Sequence, residues 1–307
     1  MTAAPTPAPV PEIGFVGIGN MGWPMASGLV AAGHPVRVAD ASRTVSDNFV
    51  QQIGGSAPAT LAELAGASDI VITMLPTSAI VATVLADGAD TLLAGLRPGS
   101  VVIDMTSGQP AVTQALALRV AAAGCVLIDA PVSGGVSRAR TGELAIMVGA
   151  DAATLARVRP VLEAMGTTIQ HCGAVGAGQA MKALNNLVSA GGFLIGIEAL
   201  LIGQRFGLDT GMMVDVLNAS TGMTNSSQKK FRQFVLSREF NSGFGLDLMV
   251  KDLSIALQIG RDTATPTPFA ALCREMWASA STMLGPGQDH TALAKLPETL
   301  AGTELKG

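Results

Sequence analysis

Between Ile13 and Asp40 the chain reads as strand, glycine turn, helix, strand and acid. Four residues, Ile13 to Val16, lead into Gly17-Ile18-Gly19-Asn20-Met21-Gly22. A helical pattern follows to Ala32, then Gly33, then a second β-like run ending in Asp40. In a Rossmann unit each part has a physical job. Gly17 permits the tight turn, Gly19 lets the backbone approach a pyrophosphate, and Gly22 lets the helix pack close to the strand. Ile18, Asn20 and Met21 complete the turn, and the helix N-terminus offers N–H groups and a partial positive charge to phosphates. Asp40 lies about 20 residues on, where an acid binds ribose hydroxyls. Glycine-rich turns are common, and a βα turn with no ligand is the alternative. That alternative gives no reason for three glycines and the acid to coincide.

The rest of the chain is large enough to support such a unit and more. The whole chain has 307 residues, 49% of them hydrophobic, which suggests two domains. A net charge of −4 offers no basic surface for nucleic acid or an anionic membrane. Cys125, Cys172 and Cys273 are scattered and form no CxxC pair, which suits thiols in a reducing, cytoplasmic compartment. His34, His171 and His290 are too dispersed for a metal cluster, so no metal is expected. Residues 1–11 are rich in proline and alanine, lack the features of a signal peptide, and read as a disordered tail. The most apolar stretch, Leu187 to Ile202, is short for a bilayer and is interrupted by Glu198, so it reads as a buried helix.

Short apolar runs alternate with helical patterns through the first half: Ile13–Val16, Val36–Ala39, Ile70–Leu75, Val101–Met105, Val126–Ala130 and Leu144–Val148. Runs of this kind between helices indicate a doubly wound, mainly parallel sheet buried on both faces. Past about residue 174 the pattern becomes helical. A helix from near Gly178 to about Phe206 would hold about 29 residues and span roughly 43 Å. The expected architecture is α/β: a Rossmann-type domain over 12–174, then an all-helical domain over 175–307, joined by that long helix. Gly191, Gly192, Gly196 and Gly203 within it each cost on the order of 1 kcal/mol against alanine, and close helix packing would compensate.

Lys182 and Asn186 stand one turn apart on this apolar helix. An ammonium there is costly unless it is paired or useful. Desolvation and a neighbouring cation would lower its pKa and suit it to exchange a proton with a hydroxyl or carbonyl. Asn186 could orient the same substrate through its amide. A lysine that snorkels and an asparagine bonded to backbone are the plain alternative. Ser133-Gly134-Gly135 follows a strand and could cradle a carboxylate, or be only a turn. Lys251 could meet an anion, or form a solvated pair with Asp252. His171 and His34 read as structural.

Taken together, these segments resemble the β-hydroxyacid dehydrogenase family over about residues 12 to 295. The resemblance rests on the opening Gly14-to-Ala26 segment, on Asp129-Ala-Pro-Val-Ser-Gly-Gly135, on Gly173 to Asn186 with Lys182 inside it, and on Lys251-Asp252-Leu253. It implies that Lys182 is the catalytic acid/base, that Asn186 helps hold the substrate, and that Ser133, Gly134 and Gly135 bind its carboxylate. It further implies that Lys251 closes over substrate and nicotinamide, and that Leu75, Pro76 and Thr106 line the cofactor groove. Homodimers or homotetramers through the helical domain are implied as well. The family's usual Asp-x-Ser-Thr segment stands here as Asp104-Met105-Thr106-Ser107.

The activity so implied is hydride transfer between a nicotinamide and a small 3-hydroxy acid such as 3-hydroxyisobutyrate, or its semialdehyde. Asp40 favours NAD over NADP, because its carboxylate would repel a 2′-phosphate, and Arg43 is the counter-signal. The rivals are an imine reductase, whose family usually lacks the lysine, and a non-enzymatic NAD(H)-binding sensor. Met223, Asn225, Phe231, Phe244 and Asp247 are candidates for the substrate side pocket, or for core or lid.

Overall fold

The computed structural model describes residues 10–307, so residues 1–9 of the expected tail lie outside the described residues. The chain divides into two compact units, one ending at Lys182 and the other beginning at Ala183.

The first unit is an eight-stranded sheet with helices. Strands β1 (Ile13–Val16), β2 (Val36–Ala39), β3 (Ile70–Thr73), β4 (Val101–Asp104) and β5 (Val126–Asp129) pair in parallel in the order β2-β1-β3-β4-β5. β1, β3 and β4 are buried along their whole length, which explains their unbroken apolar character. Strand direction then changes. β6 (Val132–Ser133) and β5 both run antiparallel to β7 (Leu144–Gly149), and β8 (Gly166–Gly173) runs parallel to β7. The sheet is thus mixed and mainly parallel. Three of the expected runs stop one or two residues early, at Thr73, Asp104 and Asp129, where the chain turns out of the sheet at its carboxyl edge. Strand order reverses about β1, so the crevice beyond the ends of β1 and β3 is the switch point where such sheets bind ligands.

The long helix spans Ala177–Phe206, 30 residues. By length and composition it is apolar enough to cross a membrane, but half of it is buried inside the folded chain, as in the core helix of a globular domain. The second unit is helical throughout. Its larger helices after Phe206 are Thr210–Asn218, Leu246–Asp262 and Pro268–Leu284. Asp209 caps the first of these by accepting from Met212 N–H at 2.7 Å, and Pro268 starts the last, where its missing N–H costs nothing. Phe193, Ile197, Leu200, Phe231, Leu253 and Trp277 form the core. The glycines of the long helix are explained in part within this unit. A Cβ on Gly196 would lie 2.5 Å from the Phe231 ring, and one on Gly203 would lie 2.2 Å from Met213 Sδ. These glycines are notches that admit neighbouring side chains.

Candidate functional site

The glycine turn has the geometry its sequence requires. Gly17 has φ +92°, and a Cβ there would fall 2.3 Å from the Met74 carbonyl oxygen and 2.9 Å from Leu75 Cδ2. A Cβ on Gly22 would come within 1.9 Å of Gly17 O. Both glycines let backbone approach backbone. Gly19 differs: a Cβ there would meet nothing within 4 Å. Its smallness serves no packing inside the protein, and the open space beside it fits the approach of a pyrophosphate. The first helix, Gly22–Ala31, starts directly after the turn and aims its N-terminal dipole at that space.

Hydrogen bonds tie Asp40 to this turn and Thr106 to Leu75. Ile18 N–H donates to Asp40 Oδ2 at 3.1 Å, and Ser42 N–H donates to Oδ1 at 3.0 Å. A carboxylate has about four acceptor sites, so Asp40 keeps capacity for ribose hydroxyls. Arg43 is engaged by Asp47 at 2.9 Å and by Pro58 O at 3.0 Å. Thr106 is buried, and its Oγ1 accepts from Leu75 N–H at 3.0 Å. Pro76 and Asn20 are exposed, and Met21 is half-buried against the core. Residues 17–22, 40, 75–76 and 106 therefore gather at the carboxyl edge of the sheet.

Ser133 ends β6, and Gly134 (φ +136°) and Gly135 (φ +67°) follow in left-handed conformations. A Cβ on Gly134 would also strike Arg138 Cβ and Cδ at 2.8 Å. The turn thus needs glycine for both backbone angle and space. Lys182 is only 9% exposed on the second turn of the long helix.

In the helical unit two further candidates, Asn186 and Lys251, meet at Asp252. Asp252 is buried. Its Oδ2 accepts from Asn186 Nδ2 at 2.6 Å, and its Oδ1 lies 3.1 Å from Lys251 Nζ, an ion-pair separation without hydrogen-bond alignment. One amide hydrogen of Asn186 is therefore committed to Asp252, and its Oδ1 accepts from Asn185 Nδ2 at 3.2 Å. Of the side-pocket candidates, Phe231 belongs to the core, Phe244 packs partly against it, and Met223 is exposed. Asp247 Oδ1 accepts from Leu248 N–H, and Asn225 opens a short helix. His171 Nε2 lies 2.7 Å from Ala150 O, and His34 Nδ1 lies 3.2 Å from Pro11 O, both structural contacts.

Sequence spacing missed a buried pair of carboxylates. Asp104 and Asp129, at the ends of β4 and β5, pair across the sheet and are 1% and 0% exposed. Burial pushes the Asp104 carboxyl up to about 6, against bonds from Thr106 and Thr73. Burial also raises Asp129, against N–H bonds from Gly176 and Gln179. Gln179 bonds both carboxylates from the first turn of the long helix.

A glycine turn, an acid at the next strand end and a strand-order reversal define an NAD(P)-binding unit. Comparison with known proteins agrees. Residues 12–173 match the family described as the NAD binding domain of 6-phosphogluconate dehydrogenase. Residues 176–297 match the family described as the NAD-binding region of NADP-dependent 3-hydroxyisobutyrate dehydrogenase. A 2-(hydroxymethyl)glutarate dehydrogenase of Eubacterium barkeri is 36% identical over 296 residues, 96% of this chain and 98% of that one. The mitochondrial 3-hydroxyisobutyrate dehydrogenase of Mus musculus is 37% identical over 271 residues, 86% of this chain and 80% of that one. The solved Mycobacterium tuberculosis 3-hydroxyisobutyrate dehydrogenase with L-serine matches with TM-score 0.85 and 32% identity, covering 95% of this chain and 99% of that one. The chain belongs to the 3-hydroxyisobutyrate dehydrogenase, or β-hydroxyacid dehydrogenase, family of NAD(P)-dependent oxidoreductases.

Proposed function

We propose that this enzyme oxidises a small 3-hydroxy acid, reversibly, with Lys182 as the proton carrier. The observation that carries the reading is a lysine held almost out of water on the helix that Asp104 and Asp129 anchor. When bound, the nicotinamide supplies the hydride acceptor or donor. Lys182 takes the hydroxyl proton in oxidation and returns it in reduction. The Ser133 hydroxyl and the N–H groups of Gly134 and Gly135 hold the substrate carboxylate, which fixes the carbinol carbon. Asn186 and Lys251, tied through Asp252, contact the remainder of the substrate. The Asp40 carboxylate and the engagement of Arg43 by Asp47 and Pro58 favour NAD over NADP.

The test mixes the protein with NAD+ or NADP+ and 3-hydroxyisobutyrate, 2-(hydroxymethyl)glutarate or L-serine, all three named with its relatives, and follows absorbance of the reduced cofactor. Turnover of at least one is expected, and Lys182→Ala should lower kcat by about 10³-fold with cofactor binding retained. Near-normal turnover by that variant removes the central role of the lysine, and silence of the parent across the panel in both directions favours a non-catalytic NAD(H) sensor.

A second copy of the chain is proposed to cover the outer face of the long helix. Val188, Ile195 and Ile202 recur at seven-residue spacing there and are 77%, 55% and 71% exposed. A large exposed apolar stripe is the usual mark of an interface. Light scattering on the eluting protein should give a dimer or larger; a monomer rejects this part.

A further inference from the structure

We infer that Gln179 is a positioning residue, which with Asp104, Asp129 and Thr113 fixes both the axial place and the rotation of the helix turn that carries Lys182; this rests on the role just proposed for the lysine. The geometry starts from two carboxylates side by side. Asp104 and Asp129 are register partners on adjacent strands, and burying two such groups together is costly unless each is tied down. Asp129 alone would suffice as a helix cap. Its Oδ1 accepts from Gly176 N–H at 2.6 Å, and its Oδ2 accepts from Gln179 N–H at 2.8 Å. Such bonds hold a helix N-terminus in place along its axis.

The side chain of Gln179 adds what a cap does not. Its Nε2 donates to Asp104 Oδ2 at 3.0 Å, and its Oε1 accepts from Thr113 Oγ1 at 2.7 Å. Asp104 is held in turn by Thr73 Oγ1 at 2.9 Å and by Thr106 N–H at 3.1 Å. One amide is therefore clamped at both ends, to a strand end and to the Pro110–Ala122 helix. A side chain held from two directions stops the helix from turning about its own axis. Lys182 follows Gln179 by three residues, so the two share a helix face, and the direction of one sets the direction of the other. Three glycines keep the space clear. A Cβ on Gly149 would lie 2.2 Å from Asp129 Oδ1, one on Gly178 would lie 2.9 Å from Oδ2, and one on Gly108 would lie 2.8 Å from Gln179 Nε2.

The test compares the full-length parent with Gln179→Met, which keeps helix propensity and bulk but loses both amide bonds, and with Thr113→Val, which frees only one end. On whichever panel substrate is turned over, Gln179→Met should lower kcat by about 10- to 100-fold, as a displacement of about 1 Å can. KM and the Kd for NADH should stay within about threefold, and Thr113→Val should fall between the two. Acetylation of Lys182 by acetic anhydride, read by mass spectrometry, needs no substrate and should speed up at least about threefold in Gln179→Met. Unchanged labelling in both variants overturns the proposal, whatever the turnover. So does a kcat loss matched by an equal loss of cofactor affinity, which marks a general structural role. Lys182→Ala run alongside separates the two ideas. Activity retained there defeats the acid/base role while the labelling still decides the positioning.

Discussion

At the carboxyl ends of β4 and β5, two buried carboxylates are met by hydroxyl, amide and backbone donors from the same unit. The helical unit treats buried polarity otherwise. Among the described residues, the buried side-chain polar atoms with no hydrogen-bond partner in the chain lie at Asn218, Ser226, Asp252, Trp277 and His290, all of them beyond Lys182. Trp277 and His290 are stacked nearly parallel at 6.3 Å, beside Phe193 and Phe244. In the sheet unit, hydrogen bonds specify a geometry at an edge where ligands bind. In the helical unit, aromatic packing fills the core, and a few buried polar atoms there go without a hydrogen bond beside the bonded Asn186–Asp252 pair. The first arrangement depends on hydrogen-bond distances and angles; the second tolerates a wider range of ring separations.

The largest effects should separate the two units by function. Trp277→Ala removes a fully buried indole and should cost about 3–5 kcal/mol of stability, with the Kd for cofactor nearly unchanged in the folded protein. Gly22→Val forces the turn away from Gly17 O and should raise that Kd by about 100-fold. Denaturant unfolding and cofactor titration check both. A Trp277 variant that lost cofactor as badly as the glycine variant would break the comparison.

Next come two pH effects of opposite sign. The Asp104 carboxyl is raised from 3.8 to about 6, chiefly by burial. The folded state then binds more protons than the unfolded one between those values, so this group makes folding less favourable as pH rises through the window, by about 3 kcal/mol in full. His290 is lowered from 6.5 to about 4, chiefly by burial and then by the Lys230 charge, against Asp289. Here the unfolded state binds more protons, so stability present above pH 6.5 is lost as pH falls toward 4, again by about 3 kcal/mol. Relative to the parent, Asp104→Asn should gain as pH rises from 4 to 6, and His290→Phe should gain as pH falls from 6.5 to 4. Unfolding free energies across that range would show parallel curves if either assignment is wrong.

The smallest effect concerns the cofactor. Asp40→Asn keeps the shape of the acid and removes its charge, and should move the NADP-to-NAD ratio of kcat/KM about tenfold toward NADP. An unchanged ratio would mean that Asp40 serves only the backbone of Ile18 and Ser42.

The two regions were unequally legible in the sequence. Gly17, Gly19, Gly22 and Asp40 announce the turn because local spacing alone encodes it, and unbroken apolar runs announce strands buried on both faces. The long helix was legible from its length and apolar content. The reversal of direction at β6 and β7 was not, because β6 has two residues and no period to read. The clamp on Gln179 was hidden because its partners lie 50 to 75 residues away in sequence. Asp104 and Asp129 looked like strand punctuation until the fold set them side by side. Asp252 was hidden by its neighbour: beside Lys251 it reads as half of a surface pair, whereas its burial and its bond to Asn186 come only from folding. The sequence leaves Phe231 open between side pocket, core and lid, and the notch at Gly196 takes it into the core.

Asp129 has one further consequence. It ends the strand from which the chain runs to Ser133, and its carboxylate grips the start of the helix bearing Lys182. Main chain and one acid therefore act as a ruler between the two, which exchanges among surrounding side chains leave at the same length.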